Sequence, residues 1–204
     1  MNSFKTVCLI TFISLFHVNI QAQNSVINCP ANMVVSAEPG KEGATVNFPA
    51  LAPELGSATI TPASGSFFRL GSHSVIVTTA SGQKCSFTVT VTDNEAPELS
   101  PIRLSREKLW PASNKMKKVV LQYTATDNAG KVNTTVAVSS NSTDGIQDWE
   151  IVDEHLLRLK AARLPDDTPR IYTITVTATD EAGNKTKRTT TISVSRTMKA
   201  VAAN

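Results

Sequence analysis

Apolar and polar residues alternate in two stretches of the chain with the period of a β-strand. In residues 86–92 a phenylalanine and two valines alternate with threonines. In residues 170–179 an apolar set from Tyr172 to Ala178 also alternates with threonines. Successive side chains of a strand point to opposite faces, so this pattern predicts strands with one buried and one solvent-exposed face.

Shorter segments of the same kind fill most of the chain between turn signals such as Pro39-Gly40. The candidate strands are residues 34–35, 44–48, 58–61, 74–79 and 86–92 in the first half, and 118–125, 133–139, 149–152, 156–161, 170–179 and 189–195 in the second. Many short strands at this spacing predict an all-β protein, and the seven or so strands of the second half are what an immunoglobulin-like β-sandwich needs.

The turn-forming run at residues 93–97 separates the two sets of strands. We expect a first domain over residues 24–95 and a second over residues 97–195. The polar, alanine-rich residues 196–204 are expected to form a flexible tail.

The N-terminal residues are typical of a secretory signal peptide. Lys5 precedes an apolar stretch at residues 7–16, which is too short to span a bilayer, and Ala22 provides a small residue at the cleavage position. Residues 1–22 are therefore expected to be removed, together with Cys8. The chain is then expected to be secreted or held at the cell surface, with no membrane span after cleavage.

Two cysteines remain after this cleavage, Cys29 and Cys85. In an oxidising compartment the simplest arrangement is one disulfide, and the alternative is two separate buried thiols. Cys85 has the same parity as the apolar positions of residues 86–92, so we expect the disulfide to lie inside and to cross the sandwich core. Such a crosslink would stabilise the fold by roughly 4 kcal/mol on a chain-entropy treatment.

Charge and composition narrow the function classes. The chain carries 20 Lys+Arg against 17 Asp+Glu and is 41% hydrophobic. This near balance gives no reason to expect nucleic acid as a partner.

Three motifs in the first half resemble the hyalin repeat (HYR) module. They are CPANMVV, SFFRLGSHSVIVT and CSFTVTVTDNEAP, which occur in that order between residues 24 and 97. In the second half, LWPASNKM, QYTATDNAG, DWEIVDEHLLRLKA and RIYTITVTATDEAGN are similar to a bacterial surface immunoglobulin-like domain. The resemblance implies an all-β protein of two tandem immunoglobulin-like β-sandwich domains, which would be extracellular and have an adhesion or protein-interaction role.

The acidic residues between the two predicted domains form a candidate calcium site. Its residues are Asp93, Asn94 and Glu95, and the turns at Asp127-Asn128 and Asp180-Glu181 add further oxygens. Calcium binds clusters of carboxylate and carbonyl oxygens, and cadherin-like modules use an acidic linker of similar appearance. The alternative is that Asp and Asn are present because tight turns favour them. No other cofactor is expected.

Catalytic chemistry has little support in the sequence. After signal cleavage only His73 and His155 remain, and no nucleophile motif such as Gly-x-Ser-x-Gly is present. Both histidines are expected to be turn residues. Zinc is not expected, because the two cysteines are better explained by each other. The chain is therefore predicted not to be an enzyme.

Aromatic residues are the remaining ligand candidates, since they can stack on a sugar or a peptide. Trp110 and Trp149 are expected to have structural roles, and Trp110 is the better ligand candidate if either is exposed. Phe67-Phe68 either forms a strand with one ring outward or a bend that buries both.

These observations predict a non-catalytic, secreted or cell-surface adhesion or protein-interaction protein. Its partner would be an extracellular protein or glycan. The alternatives are a carbohydrate-binding module and a structural spacer.

Overall fold

A computed structural model describes residues 27–49, 57–143 and 145–196. These residues form strands and no helix, so the all-β prediction is confirmed. They accordingly include no helix that is long and apolar enough to cross a membrane. The predicted signal peptide and all of the predicted tail except Arg196 lie outside the described residues.

The strands of the first half are β1 (Met33–Ser36), β2 (Gly43–Val46), β3 (Thr59–Thr61), β4 (Ser66–Arg69), β5 (Gly71–Thr78) and β6 (Lys84–Thr92). They form one sheet in the order β1-β6-β5-β3 and a second sheet of β2 and β4. Strand β1 runs parallel to β6, and the other pairs are antiparallel.

The strands of the second half are β7 (Glu98–Leu99), β8 (Arg103–Leu104), β9 (Lys108–Leu109), β10 (Met116–Gln122), β11 (Ala125–Thr126), β12 (Asn133–Ser140), β13 (Trp149–Ile151), β14 (Leu156–Lys160), β15 (Ile171–Thr179) and β16 (Lys185–Val194). The main sheets are β13-β14-β10-β8 and β12-β15-β16-β9, and β7 pairs with β11. Strand β9 runs parallel to β16, as β1 does to β6. Both halves are therefore immunoglobulin-like β-sandwiches.

Each sandwich has a hydrophobic core of its own. The alternate apolar positions of β6 and β15 provide much of the two cores, as their sequence pattern predicts. The buried residues of the first core are Ala44, Val46, Phe48, Phe68, Val75, Val77, Phe87, Val89 and Val91. Those of the second core are Leu99, Leu109, Val119, Leu121, Leu157, Leu159, Ala161, Tyr172, Ile174, Val176, Ala178, Ile192 and Val194.

Cys29 and Cys85 form a disulfide, with their Cα atoms 5.9 Å apart. The expectation that it crosses the core is wrong. Cys29 precedes β1 and Cys85 lies in β6, and these strands are neighbours in one sheet with Met33 opposite Val89. The disulfide continues that parallel register and is half-buried at the margin of the core. It therefore fastens the start of the first sandwich to its last strand.

Strand β4 differs from the set predicted from the sequence. Phe67-Phe68 is part of this strand: Phe68 is 3% exposed in the core, whereas Phe67 points outward and is 51% exposed. Phe48 packs edge-on against both Phe68 and Phe87. The strand is short and its central residues are both apolar, so no alternation marks it in the sequence.

Candidate metal site at the joint of the two sandwiches

Three aspartates meet where the two sandwiches join. Asp93 directly follows β6, Asp127 follows β11 and Asp180 follows β15. One carboxylate oxygen from each lies within 4.8 Å of the others. The first sandwich contributes one of these carboxylates and the second contributes two.

Each aspartate uses its Oδ1 atom to hold its own turn. The Oδ1 of Asp93 accepts a hydrogen bond from the backbone N–H of Glu95 at 3.0 Å, and that of Asp127 accepts one from Ala129 at 3.0 Å. The Oδ1 of Asp180 accepts hydrogen bonds from the backbone N–H groups of Gly183 and Asn184. Hydrogen bonds within the turns therefore account for the Oδ1 atom of each aspartate, but not for its Oδ2 atom.

The second oxygens of Asp93 and Asp180 have different surroundings. The Oδ2 of Asp180 accepts a hydrogen bond from the side-chain amide of Asn184 at 2.9 Å. The Oδ2 of Asp93 is fully buried and has no hydrogen-bond partner. A buried carboxylate oxygen without a partner is costly, because the hydration it loses on folding is not replaced.

Electrostatic repulsion makes this arrangement unfavourable by itself. Asp180 is 6% exposed, and Asp93 and Asp127 are half-buried. Two carboxylates at such a separation repel each other by about 3 kcal/mol at an effective dielectric constant of about 20. None of the three forms an ion pair with a lysine or arginine in the described part of the chain. A bound cation would relieve this repulsion.

Hydrogen bonds from two asparagines connect the sandwiches around the cluster. The Asn184 amide that contacts Asp180 also donates to the backbone carbonyl of Asp93 at 3.2 Å. The Asn128 amide donates to the carbonyl of Lys41 at 2.9 Å. Both bonds join the second sandwich to the first, so the position of the cluster depends on how the two sandwiches are oriented.

The loop that carries Lys41 is itself well anchored. The side chain of Glu38 accepts hydrogen bonds from the Lys41 ammonium group and from the backbone N–H of Thr45. These hydrogen bonds lower the pKa of Glu38 to about 2, and the bond from Lys41 has a larger effect than the bond from Thr45. Glu38 is therefore ionised at neutral pH and helps to fix the loop against which Asn128 docks.

The other two residues of the predicted calcium site point elsewhere. The Asn94 amide donates to Ser36 Oγ at 2.7 Å, and Glu95 Oε2 accepts the N–H of Gly40 at 2.7 Å. The structure thus brings Asp93 together with the aspartates of the two distant turns rather than with its own neighbours. A cleft of about 310 Å³ beside it is lined by Ala37, Pro39, Asp93, Asn94 and Glu95.

The donor set suits a hard divalent cation. All three side chains offer carboxylate oxygens, the ligands that Ca²⁺ prefers, whereas zinc favours cysteine and histidine. Calcium takes about six to eight oxygens, so three carboxylates would supply only part of a full set. Backbone carbonyls and water would have to complete it.

Both histidines of the described residues have structural contacts. His73 donates from Nε2 to the carbonyl of Arg69 at 2.7 Å and packs edge-on against Phe68. His155 donates from Nδ1 to the carbonyl of Leu121 at 3.1 Å and stacks on Tyr123 at a ring distance of 4.6 Å. These contacts give both rings a structural role, and the expectation that His73 is a turn residue is wrong, because it lies within β5.

The two tryptophans differ in exposure. Trp149 is half-buried and meets Tyr172 edge-on, whereas Trp110 is 39% exposed and donates its indole N–H to the carbonyl of Arg196 at 3.2 Å. Phe67 and Trp110 are the exposed aromatic residues of the described chain, and they lie in different sandwiches. Neither sandwich has two exposed aromatic residues of this kind among those described, so neither alone offers a paired platform for a sugar.

The second sandwich contains a buried ion-pair network that the sequence does not predict. Asp148 and Arg170 are 6% and 3% exposed, and Arg170 Nη1 lies 2.6 Å from Asp148 Oδ2. Lys160 Nζ is 3.0 Å from the other oxygen of Asp148. The sequence carries no signal for this pairing, because the three residues lie in different segments that only the folded sandwich brings together.

Comparisons with known proteins establish no family. No family model matches the chain, and no curated protein does. Among solved structures, it is similar to protocadherin gamma B7 extracellular cadherin domains 1–4, at 15% identity and a TM-score of 0.31 over 80% of this chain and 48% of that one. It therefore spans about half of that structure.

Two further solved structures are similar at the same low level. Human protocadherin-24 EC1-2 has 14% identity and a TM-score of 0.31 over 82% of this chain and 94% of that one. The N-terminal eight Ig domains of Down Syndrome Cell Adhesion Molecule have 12% identity and a TM-score of 0.35 over 79% of this chain and 26% of that one. Similarities of this size do not indicate what the chain binds.

Proposed function

We propose that the protein is a non-catalytic extracellular interaction module in which a calcium ion locks two sandwich domains together. The domains are residues 24–95 and 97–195. The observation that carries the proposal is the cluster of Asp93, Asp127 and Asp180, whose carboxylates come from both sides of the joint and meet within 4.8 Å.

The unpartnered Asp93 Oδ2 supports a bound cation at this place. A cation would provide the partner that this oxygen lacks and would offset the repulsion between the three carboxylates. Because the ion would bridge the two sandwiches, its binding would hold them in one orientation. A stiff pair of domains presents its end loops and edge strands to a partner at a defined angle.

The disulfide supports the extracellular part of the proposal. Disulfides persist in oxidising compartments, and the Cys29–Cys85 bond fits the signal peptide predicted at residues 1–22. The histidine contacts and the lack of a nucleophile motif support a role in binding rather than catalysis. We propose an extracellular protein as the partner.

Calcium titration calorimetry on the full chain tests the ion site. Wild-type protein should release or absorb heat with a saturable isotherm, and Asp127→Asn should lose that signal. Asparagine can still accept the turn hydrogen bond, so this substitution removes charge without removing the turn. Asp153→Asn is the matched control, because Asp153 holds an equivalent turn through His155 N–H but lies outside the cluster. No calcium binding by wild type, or equal binding by both variants, would overturn the proposal.

A further inference from the structure

Strand β12 forms a long edge of the second sandwich. It has eight residues and pairs with β15 on one side only, in a continuous register from Asn133 opposite Thr179 to Ser140 opposite Tyr172. The other edge strands of the described residues are shorter. They are β3 and β13 with three residues, β7, β8, β9 and β11 with two, and β1, β2 and β4 with four.

One hydrogen bond just beyond the end of β12 shows which of its residues direct their backbone N–H and C=O groups towards β15. Asn141 N–H donates to the carbonyl of Ile171, which places residue 141 among those that face β15. Antiparallel pairs alternate, so the odd residues of β12 bond to β15 and the even residues turn their N–H and C=O groups outward. Thr134, Val136, Val138 and Ser140 therefore present a row of backbone groups to a new strand.

Nothing in β12 protects this edge from pairing. Natural edge strands are usually guarded by charged residues, prolines or bulges, and the sequence NTTVAVSS contains no charge and no proline. Its register shows no bulge. By contrast, edge strand β13 carries Glu150, and Pro62 directly follows edge strand β3.

We propose that β12 pairs with β12 of a second copy of the chain, antiparallel and about a two-fold axis, to form one continuous sheet across a dimer. In the register that uses all four outward-facing residues, Ala137 lies opposite Ala137 and Val136 lies opposite Val138. Thr135 then faces Ser139. The proposal goes beyond the proposed function and does not depend on calcium.

Side-chain complementarity is the reason for choosing a second copy as the occupant. Val136 and Val138 pack against the core but remain half-buried at the edge, and the valines of the second copy would cover them. Directly opposed like charges destabilise strand pairs, and this strand has none to oppose. A two-fold axis makes each contact occur twice, as in most homodimers.

Sedimentation velocity of the full chain over a concentration series tests the proposal. We expect a reversible dimer in both calcium and chelator. Ala137→Lys would set two lysines opposite each other and should weaken the dimer by roughly tenfold or more. The matched control is Thr175→Lys, since Thr175 is the register partner of Ala137 one strand inward and points to the same face.

A charge swap identifies the register. Ala137→Lys and Ala137→Glu should each be mainly monomeric, and an equimolar mixture should regain a dimer because opposite charges then meet across the axis. Thermal melts of every variant establish that it is folded. A wild-type chain that stays monomeric at all concentrations, a dimer that survives Ala137→Lys, or equal loss with Thr175→Lys would overturn the proposal.

Discussion

The carboxylate of Asp148 is a buried acidic group of the second sandwich. It contacts Arg170 and Lys160, and its backbone carbonyl accepts a hydrogen bond from the Tyr172 hydroxyl. Arg170 also donates from Nε to the carbonyl of Ala162. Because Asp148 and Arg170 are almost fully buried, the ion pair between them offsets charges that water solvates poorly.

Removing the Asp148 charge should therefore destabilise the fold strongly. Asp148→Asn removes the negative charge that faces the buried Arg170, and we expect a loss of about 3 kcal/mol or more in the free energy of unfolding. The control is Glu150→Gln, which breaks the exposed ion pair between Glu150 and Arg158 and should cost about 1 kcal/mol or less. Urea denaturation measures both, and similar values for the two variants would contradict this account.

Tyr172 should make the second sandwich sensitive to alkaline pH. Burial raises the pKa of its hydroxyl to about 12 from an ordinary value of 10.0. The folded state favours the neutral phenol of Tyr172. Its contribution to the free energy of unfolding is therefore complete below pH 10 and is lost as pH rises through about 12. The loss should reach up to about 3 kcal/mol.

A variant isolates this contribution from those of the other titrating groups. Tyr172→Phe lacks the hydroxyl that donates to Asp148 and Lys160, so it should start less stable but lose less stability between pH 10 and pH 12. Unfolding free energies across that range provide the measurement. Parallel curves for wild type and variant would show that Tyr172 is not responsible.

At the scale of elements, β6 organises the first sandwich. It pairs with β1 on one side and β5 on the other, carries Cys85, and ends directly before Asp93. The disulfide matters at this scale because β1 is only four residues long. A short parallel edge strand has few hydrogen bonds of its own, so the crosslink holds it in register.

Loss of the disulfide should destabilise the first sandwich selectively. Replacing both cysteines by serine should cost roughly 4 kcal/mol on a chain-entropy treatment. Both tryptophans of the chain lie in the second sandwich, so tryptophan fluorescence reports that half while far-UV circular dichroism reports both. We expect the dichroism transition to shift much more than the fluorescence transition, and equal shifts would contradict the assignment.

The sequence predicts strands best where one face of the strand is buried and the other is exposed to solvent. The alternation of apolar residues and threonines predicts both β6 and β15, and it also predicts which side chains of each strand face the core. Strand β16 begins at Lys185, earlier than predicted. Its first residues show no apolar alternation, since Thr186 is only half-buried and Arg188 is exposed. Arg188 reaches the carbonyl of Leu99 instead, a contact with no signal in the local pattern.

At the scale of the whole molecule, the sequence predicts the joint between the sandwiches only in part. The turns at Asp93, Asp127 and Asp180 are visible as acidic positions after predicted strands. Their convergence is not, because it depends on how two sandwiches face each other across contacts such as Asn184 to Asp93. Proximity in sequence suggested Asn94 and Glu95, whose side chains the fold directs to Ser36 and Gly40.

A calcium-dependent thermal melt tests the central claim most directly. At calcium about 100-fold above its dissociation constant, wild type and Asp153→Asn should melt about 5 °C or more above their values in chelator. Asp127→Asn should show no such rise. Equal melting temperatures of wild type in calcium and chelator, or the same rise in all three proteins, would contradict a calcium ion bound between Asp93, Asp127 and Asp180.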